Sequence, residues 1–155
     1  MSEAGLGESG EIIRLVQELA QESGEQSALD FKDVADYLLF PGCTILLAEA
    51  GGETVGLLSY AVRPNLYHAR ECCVIDELVV SRGARGKGVG SALISEVIRR
   101  GIEAGWAEVS VSTLADNQPA IDFYRRYGLT DEALLLERHL QPDEPEDPPT
   151  PATGG

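Results

Sequence analysis

The feature that most restricts this chain is a junction. An apolar run, Cys72–Val80, passes without a gap into a basic, glycine-rich stretch, Ser81–Gly90. Apolar residues then repeat at helical spacing: Val89, Leu93, Ile94, Val97, Ile98 and Ile102, with Gly101 and Gly105 near the end. The run before the junction is continuous enough for a strand buried on both faces, and the stripe after it needs a helix packed on that sheet. Strand, glycine loop and helix in this order exclude a simple helical bundle. Glycines let several backbone N–H groups converge, and the helix start adds about half a positive charge. Arg82, Arg85 and Lys87 lie in the same stretch with no acid among them. An anionic, phosphate-like ligand is expected there, although a solvated basic turn has the same charge.

The rest of the chain fits around this unit. Glu11–Glu22 carries Ile12, Ile13, Val16, Leu19 and Ala20 on one helical face. Ser27-Ala-Leu-Asp30 resembles a capping box for a second helix, with Phe31, Val34, Ala35, Leu38 and Leu39 repeating at three and four until Pro41-Gly42. Cys43–Ala50 and Val55–Val62 read as a hairpin about Gly51-Gly52, broken at Arg63-Pro64-Asn65. Glu108–Thr113 alternates as a half-exposed strand, Asp116 or Asn117 caps a short helix ending at Gly128, and Ala133–Leu140 is expected to close the order as a last strand. The resulting order, α-α-β-β-β-α-β-α-β, is α/β (α+β): a mixed, mostly antiparallel central sheet flanked by helices.

A chain of 155 residues is about one domain, placed at residues 9–140. Residues 1–8 read as a flexible N-terminus, and 141–155, acidic and Pro-rich, as a disordered tail. Net charge is −14, which disfavours nucleic acid and anionic membrane surfaces as partners. Most of that charge lies in the terminal segments. No run approaches the roughly 18 apolar residues of a membrane span, and the first residues lack a basic-then-apolar leader, so a cytoplasmic location is expected. Cys43, Cys72 and Cys73 lack CxxC spacing, so reduced thiols rather than a disulfide framework or metal site are expected.

Two common phosphate loops do not fit. Lys87 is followed by Gly88 rather than Ser or Thr, which rules out a Walker loop, and no G-x-G-x-x-G register exists from Gly86 or Gly88. What fits is Arg85-x-x-Gly88-x-Gly90, which resembles the coenzyme A loop of the GCN5-related N-acetyltransferase (GNAT) family. Asn117-Gln-Pro-Ala-Ile-Asp-Phe-Tyr124-Arg-Arg-Tyr-Gly128 is similar to that family's asparagine–alanine–phenylalanine-tyrosine–glycine segment. The resemblance spans roughly Thr44 to Leu140, and the family's usual first strand is not evident.

The resemblance implies an acetyl-CoA-dependent N-acetyltransferase acting on an amine by direct attack on the thioester. It implies that backbone amides over Arg85, Gly86, Lys87, Gly88, Val89, Gly90 and Ser91 hold the pyrophosphate. It also implies that the preceding strand, Leu78, Val79 and Val80, splays from its neighbour and pairs with the pantetheine arm, as an added strand would. Asn117 would touch the cofactor or cap its helix. Tyr124, with an ordinary pKa of about 10, can donate a proton to the leaving thiolate or hydrogen-bond it.

A base is also needed, since freeing the lone pair of an alkylamine of pKa about 10.4 at pH 7 costs roughly 4–5 kcal/mol. Asp76 and Glu77 are the acids of the Cys72–Val80 run. Strand alternation gives Asp76 the parity of Leu78 and Val80, near the thioester, and turns Glu77 to the opposite face. Related enzymes often carry a carboxylate at the position of Asp76 as the base. His68, Arg63, Tyr67 and Arg70 could border the acceptor, and His139 reads as structural. A non-catalytic acyl-CoA sensor or interaction module is the alternative, and a homodimer is compatible with the family.

Overall fold

The computed structural model describes residues 1–142. Its elements are β1 (Ser2–Glu3), α1 (Ser9–Glu22), α2 (Phe31–Leu39), β2 (Cys43–Ala50), β3 (Glu53–Asn65), β4 (Arg70–Val80), α3 (Val89–Ala104), β5 (Glu108–Val111) and α4 (Gln118–Arg125). The strands form one sheet in the order β1-β2-β3-β4-β5. Neighbours are antiparallel except β4 and β5, whose parallel pairing follows from the α3 crossover between them.

Alternating side chains give the sheet two apolar faces. Leu46, Leu58, Tyr60, Cys73 and Ile75 pack against Leu93, Ile94 and Val97 of α3. Ile45, Leu47, Leu57 and Val79 pack against Ile12 and Leu15 of α1 and Val34 of α2. Both faces are buried, and each buried Leu or Ile contributes roughly 1.5–3 kcal/mol. The expected mixed, mostly antiparallel sheet between helices is the fold observed.

Several local expectations change. The N-terminus expected to be loose contains a strand, because Ser2 and Glu3 pair with Leu47 and Leu46. Glu3 also meets Arg100 of α3. Two polar residues carry no alternation to detect, so this edge was invisible in the sequence. Ser27 is not the cap of α2. Asp30 is: its carboxylate accepts from the Asp33 N–H at 2.9 Å while Asp33 accepts from the Asp30 N–H at 3.1 Å. Pro64 does not break β3, which runs to Asn65 against β4. The β2 ladder ends earlier, at Ala61, so the missing N–H of Pro64 costs no bond on that side.

Ala133–Leu140 is not a strand. The segment has no regular structure and joins no ladder among the described residues, with Leu134 and Leu136 exposed at 90% and 88%. Strand propensity expresses fit to a neighbouring pleated surface, and this segment has none among the described residues. His139 is accordingly exposed beside Glu137 rather than set in a sheet. The tail expected to be disordered lies, from residue 143 on, outside the described residues.

Candidate active site

The junction read from the sequence is present, and the sheet opens beside it. The β4–β5 ladder runs from Cys72–Glu108 to Ile75–Val111 and stops there. Asp76–Val80 continue alongside β3 alone, with Val80 opposite Gly56. This leaves the β5-facing edge of Leu78, Val79 and Val80 without a ladder, directly before the glycine loop.

Three glycines shape that loop. Gly86 and Gly88 have φ of 73° and 82°, a left-handed backbone that side chains resist. A Cβ built on either would meet nothing within 4 Å, so the concave side of the loop is open. Gly88 is the N-cap of α3 and offers no side chain to the first amides of the helix, those of Val89, Gly90 and Ser91. At Gly90 the loop instead approaches α4, where a Cβ would lie 3.5 Å from the Phe123 ring. These open amides at a helix start suit a phosphate-bearing group.

The basic side chains are less free than the sequence implies. Arg85 donates Nε–H to the Val80 carbonyl at 3.1 Å and ion-pairs with Glu22 at the end of α1. Arg82 lies 3.6 Å from the same carboxylate. The bond from Arg85 holds Glu22 below the usual carboxylate range. Lys87 Nζ donates to the Gly83 carbonyl at 3.0 Å. Backbone amides, rather than three free cations, therefore dominate the loop.

On the α3 face, Tyr124 is half-buried against the core that includes Leu78, Val89 and Val111. Its ring meets Phe123 edge-on at 5.2 Å, and burial raises its hydroxyl pKa. A neutral phenol near the open strand can act as a donor. Tyr127 also packs on Phe123, at 5.2 Å. Asn117 caps α4, its Oδ1 accepting from the Ala120 N–H at 3.3 Å.

The carboxylates are arranged differently from strand alternation. Ser59 pairs with Glu77 and Tyr60 with Ile75, so Asp76 is an extra residue in β4. At such a bulge two consecutive residues turn to one side. The parity expected for Asp76 is therefore lost, whereas Glu77 lies on the face opposite Leu78 as expected. Asp76 accepts a hydrogen bond from Tyr37 of α2 at 2.8 Å. Glu77 joins Ser59, which donates its hydroxyl to the carboxylate and accepts the Glu77 N–H at 3.0 Å. Both acids thus face the α1–α2 layer. Glu77 lines a cavity of about 340 Å³ with Val16 and Leu19 of α1 and with Ser23 and Ser27 beyond its end. Burial, then the neighbouring Asp76 charge, raise its pKa, while the Ser59 bond opposes them.

Tyr37 and Ser59 were not singled out from sequence. Each sat at an ordinary helix or strand position, and only the bulge joins them to the carboxylates. Of the other residues considered, His68 lies 3.4 Å from Glu108 and ties the β3–β4 hairpin to β5, while Tyr67 is 92% exposed. Arg63 and Arg70 are exposed on the same arm. Cys73, buried in the α3 face, has its thiol pKa pushed up to about 12 by burial.

Open strand, amide-lined loop and following helix all lie within residues 12–129, which match the family described as "Acetyltransferase (GNAT) family". The chain belongs to the GNAT acetyltransferase family. An aminoalkylphosphonate N-acetyltransferase of Salmonella typhimurium is 33% identical over 118 residues, covering 76% of this chain and 75% of that one. An L-2,4-diaminobutyric acid acetyltransferase of Nocardia farcinica is 29% identical over 153 residues, covering 92% and 74%. An aminoglycoside acetyltransferase from an uncultured soil sample shares the GNAT fold, with a TM-score of 0.76 at 22% identity over 90% of this chain and 93% of that one. This GNAT chain is an N-acetyltransferase, and acetyl-CoA is the acyl donor of its family. No helix among the described residues is long and apolar enough to cross a membrane.

Proposed function

We propose that the protein binds acetyl-CoA along Leu78–Val80 and the Arg85–Ser91 loop and transfers the acetyl group to a small aliphatic amine. The observation that carries this reading is the end of the β4–β5 ladder at Ile75 and Val111, which leaves the edge of Leu78–Val80 open where the chain enters the loop of left-handed glycines. The free strand edge offers N–H and C=O groups to an amide-rich arm, and the loop amides take the pyrophosphate. Asn117 holds α4 beside that loop.

Asp76 takes the ammonium proton, directly or through water, and frees the lone pair. The amine nitrogen attacks the thioester carbonyl carbon, the C–N bond forms, and the C–S bond breaks. Tyr124 donates a proton, or a hydrogen bond, to the departing thiolate from the other face of the sheet. Glu77 stays beside Ser59 and lines the acceptor side. A reducing compartment such as the cytoplasm suits the free thiols of Cys43, Cys72 and Cys73.

The relatives that act on aminoalkylphosphonates and L-2,4-diaminobutyric acid support a compact amine as acceptor. The test is coenzyme A release from acetyl-CoA against a panel of aminoalkylphosphonates, L-2,4-diaminobutyric acid, thialysine, polyamines, aminoglycosides and short peptides. Turnover with a compact amine is the expected result. Tight acetyl-CoA binding with no turnover across the panel would instead favour an acyl-CoA sensor.

A further inference from the structure

The phenol of Tyr37 is placed for more than packing. Val34 is buried and Leu38 partly so, and both pack with Tyr37 against the same face of the sheet. A phenylalanine ring would serve that contact equally well. The hydroxyl, however, ends among polar groups from three strands: Asp76 of β4, Ser59 of β3 and Cys43 of β2. Donor arithmetic divides them. A tyrosine and a serine hydroxyl each have one proton to give. Ser59 gives its proton to Glu77, and Tyr37 gives its proton to Asp76 Oδ2. Burial and the Asp76 bond keep the Tyr37 phenol protonated throughout the working pH range. It therefore remains a donor when the carboxylate is charged.

The placement is also well defended. The reciprocal Asp30–Asp33 cap fixes where α2 begins. At the other end Gly42 turns the chain into β2 with φ 87°, and a Cβ there would lie 2.2 Å from the Val62 carbonyl oxygen. The helix carrying Tyr37 is held at both ends, while the carboxylate it meets is an exposed residue at a bulge.

We propose that Tyr37 is a positioning residue for the amine-activating base: its bond to Oδ2 fixes the Asp76 carboxylate and leaves Oδ1 to receive the amine proton. This rests on the assignment of Asp76 as base. The groups facing Asp76 are Tyr37 from α2, Cys43 from β2 and Glu77 from β4, while Cys73 feels its charge from the opposite face of the sheet. The Tyr37 bond is the contact that fixes one oxygen of the carboxylate, so losing it frees Asp76 to turn away from the amine.

The test uses the full chain in two parts. First, urea midpoints are measured for Tyr37→Phe, Asp76→Asn and the double variant, without any acceptor. Coupled effects are expected, because contacting pairs are non-additive; additive effects overturn the proposal. Second, acetylation of L-2,4-diaminobutyric acid is measured with both substrates varied. Tyr37→Phe is expected to lower kcat about tenfold with the KM for acetyl-CoA unchanged, and to add nothing in the Asp76→Asn background. If Asp76→Asn is impaired while Tyr37→Phe keeps the wild-type kcat, the role of Tyr37 falls and the base assignment stands. If Asp76→Asn itself turns over normally, the base assignment falls first and Tyr37 with it.

Discussion

The two ends of the proposed site are built in opposite ways. The end proposed for acyl-CoA is one contiguous stretch, from Leu78 to Ser91, and its main groups are backbone amides. The end proposed for the amine draws Tyr37, Ser59, Asp76 and Glu77 from three elements, and its main groups are side chains. Their acids differ too. Glu22, clamped by Arg85, is held low, whereas Glu77, pressed into the α1 face, is raised. A backbone-built site tolerates drift in side chains but not in glycines. A side-chain site depends on every element that carries it.

The largest expected effect breaks the first end alone. Gly88→Val should weaken acetyl-CoA binding by about a hundredfold or more, since it strains a left-handed position and fills the open cradle. Because a Cβ at Gly88 meets no neighbour within 4 Å, the fold should survive, and calorimetry can separate binding from folding. Unchanged affinity would remove the loop from the site. Next, Tyr124→Phe should cut turnover by about ten- to a thousandfold with acetyl-CoA affinity intact. A normal rate would reduce Tyr124 to packing.

Two smaller effects sharpen the contrast between the acids, because their signs differ. Glu77 has a folded pKa above its ordinary value near 4.5. Its folded state holds the proton more tightly, so its stabilising influence is present below that value and is lost as pH rises through the folded pKa. Glu77→Gln should therefore be more stable than wild type at pH 7, with the gain shrinking toward pH 4, as read by thermal melts. Glu22 behaves inversely, with a folded pKa below its ordinary value near 4.5. Its pairing stabilises above that value and fades as pH falls through the folded pKa. Glu22→Gln should lose no more than about 1 kcal/mol at pH 7, less in high salt, and nothing in acid. Parallel pH responses of the two variants would undo the contrast.

The same division governs what was legible in the sequence. The loop, its strand and its helix were readable because glycine spacing, charge and period coincide within one short segment. Tyr124 and Asn117 followed from their spacing to Gly128. The end proposed for the amine was readable only as two acids, and the direction of Asp76 departs from the expected one because a period of two assumes an uninterrupted ladder. One inserted residue changed that, and no residue type announces it. Tyr37 and Ser59 were hidden for a related reason: their partners are distant in the chain. Ala133–Leu140 erred the other way, since an apolar pattern states what a segment could pair with and not that a partner is present.

The extra residue in β4 should also be visible to genetics. On the α3 face the intolerant positions run Cys73, Ile75 and then Leu78, so sensitivity passes from odd to even numbers between Ile75 and Leu78. A substitution scan along the strand should thus slip phase once, as a text does when a letter is inserted. The slip falls on Asp76, so tolerance data alone could locate the carboxylate end of the site.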